Sequence, residues 1–100
     1  AMAVGACGAI CSLPNIIPEK TVELYEACRS GDPEKAIALQ NEIYSFAPLL
    51  ATSPTPHAMQ KEALRLMGHP INASVKSPLP QLTEEQAKTV KESLENQGLL

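Results

Sequence analysis

The sequence predicts a mostly α-helical chain in which one short apolar strand is followed by four α-helices. Three observations carry this. Residues 1–17 contain no charge, and the sequence after Pro18 is polar, with apolar residues recurring at spacings of three and four. Helix-stopping glycines and helix-starting Ser/Thr/Asp–Pro pairs then punctuate that polar sequence.

A strand apolar on both faces belongs inside a parallel sheet covered by helices, where it pairs its backbone with a neighbour on each side. No other segment of the 100 residues has the pattern of a partner strand. Residues 4–13 are therefore expected to be an interior strand of a larger β/α structure, with its neighbours and most of the chemistry supplied from outside these residues. On such a strand Cys7 and Cys11 share one face, and Gly8, Ile10 and Ser12 share the other.

Each helix has a start and a stop. Pro18 sits at a first helical position with Glu19 beside the positive end of the helix dipole, and Gly31 ends that helix after about Ser30. Asp32-Pro33-Glu34 restarts a helix at once, with Asp32 as its cap. The second helix carries Ala36, Leu39, Ile43, Phe46 and Leu50 on one stripe, and Pro48 should kink or end it. Thr52-Ser-Pro-Thr-Pro56 is a stiff connector that places Thr55 as cap and Pro56 at the first turn of a third helix, with Met59, Ala63, Leu66 and Met67 inward. Gly68 closes it. Residues 69–82 hold three prolines and no period, which describes an ordered loop. Thr83-Glu-Glu-Gln86 is a capping box for the fourth helix, whose inner side is Ala87, Val90 and Leu94 before Gly98.

Composition excludes several functions. A net charge of -3, scattered basic residues, no Trp, two Tyr and one Phe provide neither a phosphate-binding patch nor a base-stacking platform, so nucleic acid is not an expected partner. The uncharged N-terminal run is broken by Gly5, Gly8 and Pro14 and does not describe a membrane span. Cys7, Cys11 and Cys28 form no C-x-x-C pair and lack a histidine at ligand spacing, so buried free thiols and no metal are expected. Asn72-Ala-Ser74 matches the glycosylation pattern, but a three-residue match carries little without a secretory context.

A set of motifs in fixed order adds to this reading: Gly5-Ala-Cys-Gly-Ala-Ile-Cys-Ser-Leu-Pro-Asn15, Gly31-Asp32 between two helices, Pro54-Thr-Pro56, Ser77-Pro-Leu79 and Gly98-Leu-Leu100. Together they resemble the dihydrodipicolinate synthase and N-acetylneuraminate lyase family over the whole chain. The Cys7–Asn15 run and Ser77-Pro-Leu-Pro-Gln-Leu82 look most similar to its 4-hydroxy-2-oxoglutarate aldolase branch. The resemblance implies the C-terminal part of a (β/α)8 TIM barrel. Residues 1–31 would be the last barrel strand and last barrel helix, and residues 32–100 an appended three-helix bundle.

It further implies a class I aldolase or synthase. In such enzymes a barrel lysine condenses with the ketone of pyruvate or a related 2-oxo acid, the iminium serves as electron sink, and a tyrosine relays protons. The Schiff-base lysine belongs to an earlier strand, so no catalytic residue is expected in this chain, which alone should be inactive. Carried over by position, Ile10 lines the pocket beside the Schiff base and Ser12 contacts substrate hydroxyls, both near the C-terminal mouth of the barrel. Lys76 stands where the family often has arginine, and Ala58 where it often has lysine; lysine lacks the bidentate fork of arginine. No cofactor is implied. The implied partners are a 2-oxo acid of the pyruvate class, the remainder of the barrel and further copies in a homotetramer, in the cytoplasm or the mitochondrion.

The blander reading of each residue stands beside the functional one. Lys20, Lys35, Lys61, Lys76, Lys88 and Lys91 all sit among polar neighbours, as solvated lysines do. Ile10 would serve equally as barrel packing, and the Ser12 hydroxyl could satisfy a loop backbone group. Cys11 has no adjacent cation to activate it, and neither His57 nor His69 has a catalytic partner in sequence. A different class of function also fits: a self-contained helical module that mediates assembly, with the N-terminal apolar run covered by a partner copy.

Overall fold

Backbone pairing decides the N-terminal region. The structure, a computed structural model describing residues 1–100, contains no β-strand, and residues 6–11 have no regular secondary structure. This corrects the expected short strand over residues 4–13. A strand is defined by bonds to a neighbour, and these residues have no neighbouring strand to bond. The chain instead makes two local turns of 3-10 helix, Met2–Val4 and Leu13–Asn15, with the stretch between them open to solvent. Val4 is 88% exposed and Ile10 is fully exposed. The cysteines are free as expected, but Cys7 and Cys11 are exposed and Cys28 is half-buried, because no sheet covers them.

Helices satisfy their own backbone, and five form where four were expected, because the second expected helix divides into two at Pro48. They are α1 (Pro18–Ser30), α2 (Pro33–Tyr44), α3 (Ala47–Leu50), α4 (Pro56–Leu66) and α5 (Glu84–Asn96). The chain divides into two compact units, Ala1–Ser45 and Phe46–Leu100. The division implied by the resemblance falls after residue 31 instead. Packing within the chain groups α2 with α1.

In the first unit α1 packs on α2 and on both N-terminal turns. Gly31, at φ 72°, lets the chain reverse between the two helices. The Asp32 amide donates to the Ala27 carbonyl at 3.0 Å and the Gly31 amide to the Cys28 carbonyl at 3.4 Å, the paired bonds of a Schellman ending. Asp32 then caps α2, its carboxylate accepting from the Lys35 amide at 3.0 Å. One residue pair thus ends one helix and begins the next. Ile16, Ile17, Ala27, Leu39 and Ile43 are the buried apolar residues of this unit. At its surface the Lys20 ammonium donates to Glu42 at 2.6 Å, linking α1 to α2.

The second unit begins where proline breaks the periodic run. Pro48 has no N–H to give and disfavours helix before it, so α2 stops at Tyr44 and α3 starts afresh at Ala47. The restart changes the phase of the apolar stripe: Leu49, not Leu50, is the buried leucine at 2% exposure. α3 packs against α4 and α5, which pack on each other. Met59, Val90 and Leu94 are the largest fully buried side chains. The Schellman ending recurs after α4 and α5. His69 donates to Leu64 and Gly68 to Arg65; Leu99 donates to Leu94 and Gly98 to Glu95.

α5 opens with the expected capping box. The Gln86 amide donates to the Thr83 hydroxyl at 3.2 Å, and the Thr83 amide donates to the Gln86 side chain at 2.9 Å. Thr55 precedes α4 as expected, but its hydroxyl makes no capping bond; it is buried without a partner, as is that of Thr52. The loop over residues 69–82 is pinned by side chains. Gln81 brackets the Val75 backbone, accepting from its amide at 3.1 Å and donating to its carbonyl at 2.5 Å, and the Lys61 ammonium donates to the Ser74 carbonyl at 2.7 Å.

Glu62 is the buried charge of α4, 9% exposed on the face shared with Met59 and Ala63. The guanidinium of Arg65, one turn later, donates Nε–H to Oε2 at 2.8 Å and Nη2–H to Oε1 at 2.6 Å. Those hydrogen bonds hold the Glu62 carboxyl below the usual carboxylate range, against a smaller upward push from burial, and the arginine's charge adds to the lowering.

Three outcomes are expected of these contacts. Asp32→Ala removes the α2 cap and costs about 0.5–2 kcal/mol in urea unfolding. Met59→Ala opens a cavity in a fully packed position and costs about 2–5 kcal/mol, with a lower midpoint at unchanged slope. The third is a pH dependence. Because the folded-state pKa of Glu62 lies below its unfolded value, its contribution is fully present above the ordinary carboxylate range. That contribution is lost as pH falls through the folded value. Thermal unfolding followed from neutral pH downward should show this acid component in the parent chain and lack it in Glu62→Gln; an identical pH profile in both would overturn the assignment.

Candidate functional site

Ile10 and Ser12, for which the family resemblance implies contact with substrate, both lie on the N-terminal segment of the first unit. Ile10 lies in the open stretch, with nothing over its side chain. Ser12 begins the second 3-10 turn. Its carbonyl accepts from the Asn15 amide at 3.2 Å and from the Asn15 side chain at 3.0 Å, while its own hydroxyl makes no capping bond. The alternation that put the two side chains on one face belongs to a strand, and these residues do not form one.

Burial distinguishes the amines, since a Schiff-base lysine must be desolvated enough to shed its proton near neutral pH. Lys35, Lys61, Lys76, Lys88 and Lys91 are all exposed. Lys20 is half-buried, but it faces the wrong partner for a nucleophile. The hydrogen bond to Glu42 and the attraction of that carboxylate, with a smaller contribution from Glu23, push the Lys20 pKa above its ordinary value and keep it an ammonium. Lys76, in the position that often holds arginine in the resemblance, is an exposed loop cation.

Several other polar side chains are committed to structure. Glu62 is held by Arg65, Lys88 and Lys91 face Glu92 and Glu95 one turn on at 3.7 and 3.8 Å, and Arg29 lies 5.7 Å over the Tyr25 ring. No three His, Cys, Asp or Glu side chains are grouped to hold a metal ion, and no helix is long and apolar enough to cross a membrane. Two features had no signal in the sequence: the burial of Glu62 and the unpaired hydroxyls of Thr52 and Thr55. Both arise from how helices pack, which a polar residue at a helical spacing does not announce.

The likenesses to known proteins extend over the whole chain. The model of the Dihydrodipicolinate synthetase family matches residues 1–97. The chain is 34% identical over 99 residues to the 4-hydroxy-tetrahydrodipicolinate synthase of Methanopyrus kandleri, a match covering 99% of this chain and 32% of that protein. It is 32% identical over 101 residues to the enzyme of that name from Methanocaldococcus jannaschii, covering 99% and 34% respectively. A solved structure described as the first monomeric dihydrodipicolinate synthase variant matches with a TM-score of 0.82 and 28% identity, over 99% of this chain and 32% of that one. The chain thus spans about a third of the length of the relatives it matches. Family model, sequence relatives and backbone course agree: this chain belongs to the dihydrodipicolinate synthetase family.

Proposed function

We propose that these residues are the C-terminal third of a pyruvate-dependent class I lyase, and that they shape its substrate pocket without supplying the Schiff-base lysine. The observation that carries the reading is the family match over residues 1–97 in a chain with no desolvated amine. In the whole protein residues 4–13 form the last strand of a (β/α)8 barrel, residues 18–31 close the barrel, and residues 32–100 are the appended bundle. The apolar composition of residues 4–13 suits that place, and their exposure in this chain leaves the required surface free.

The chemistry follows from an iminium. A lysine on another strand condenses with the 2-oxo group, losing water; the protonated imine then accepts the electron pair of the breaking C–C bond as the 4-hydroxyl loses its proton and becomes an aldehyde carbonyl. For 4-hydroxy-2-oxoglutarate this gives glyoxylate and an enamine that protonates and hydrolyses to pyruvate. Ile10 contributes an apolar wall that keeps water from the imine, and Ser12 a hydroxyl in reach of the substrate's oxygen. The Cys7–Asn15 and Ser77–Leu82 runs favour the 4-hydroxy-2-oxoglutarate aldolase branch over the synthase activity named for the relatives, and the homotetramer expected of the family is the assembly we propose.

Borohydride trapping with pyruvate tests the division of labour. The 100-residue chain should keep its mass, while the whole protein should gain one reduced adduct on a lysine outside residues 1–100. An adduct on Lys20 or any other lysine of this chain would overturn the proposal. So would a stable, monodisperse oligomer of this chain alone that buries residues 4–13, which is what a self-contained assembly module requires.

Ile10→Asp provides a second test. In this chain, where the side chain is already in water, it should change stability by less than about 0.5 kcal/mol. In the whole protein it should cost several kcal/mol, on the order of burying an unpaired carboxylate, and abolish pyruvate release from 4-hydroxy-2-oxoglutarate. Equal, negligible effects in both would remove Ile10 from the barrel interior.

A further inference from the structure

We draw no further inference here: the strongest candidate, the open apolar groove of about 490 Å³ that Met2, Ala27, Cys28, Pro33, Ala36 and Ile37 line beside α1 and α2, carries nothing because nothing in the structure shows what covers it.

Discussion

Helices and strands differ in who must satisfy their backbone, and that difference organises this chain. An α-helix closes its hydrogen bonds within a dozen residues and needs outside help only at its ends. An apolar strand needs neighbours along its full length. The five helices between Pro18 and Asn96 meet the first requirement from their own sequence. Residues 4–13 cannot meet the second, so they fall back on two isolated turns and leave Val4 and Ile10 in water. Each such side chain forgoes roughly 1.5–3 kcal/mol of burial. That unrealised burial favours docking onto a sheet, and the sign of the effect is set by composition alone.

Because the helices are self-sufficient, their junctions govern the packing. The Schellman bonds at Gly31, Gly68 and Gly98 end α1, α4 and α5, and Asp32 and Thr83 supply caps to the helices α2 and α5. At Gly31–Asp32 the ending and the beginning share adjacent residues, so α1 and α2 have little freedom in their mutual angle, and the Lys20–Glu42 contact joins them further along. In the second unit the tight elements are the pinned loop and the Met59, Val90 and Leu94 core. Gln81 and Lys61 satisfy backbone groups at Val75 and Ser74 in a stretch that has no ladder to do so.

What could be read from sequence follows the same line. The ends of α1, the cap of α2, the capping box of α5 and the break at Pro48 were legible because each is decided by a few adjacent residues with restricted backbone or a fixed hydrogen-bond partner. Features decided by distant contacts were not. Leu49 replaces Leu50 in the core because a restarted helix does not inherit the phase of the one before it. Thr55 occupies a capping position without capping, since its hydroxyl is turned into a buried setting. Residues 4–13 form no strand in this chain for the most general reason: the pattern of apolar residues specifies the environment a segment suits, and the presence of partners decides whether that environment exists. Of the candidate site, Ile10 and Ser12 stand out in sequence only through the family resemblance, and in this chain the Ile10 side chain lies in water, because enclosing it takes contacts that residues 1–100 do not make.

The electrostatics of the lysines bear on why a segment of this kind would carry pocket walls and not the nucleophile. Lowering an amine's pKa requires burial or neighbouring positive charge, and both are costly on a mostly polar helix. The lysine here with the least exposure, Lys20, has its ammonium stabilised by Glu42 and Glu23, which moves it away from nucleophilic behaviour. Suppressing that effect would mean removing the contact that links α1 to α2. An apolar strand surrounded by other strands offers the opposite setting, since it is desolvated without any compensating carboxylate. In a barrel the nucleophile and the residues that keep water from it can then be divided among strands, each segment contributing side chains of one kind. Residues 4–13, with no ionisable group other than two thiols, suit the second of those tasks.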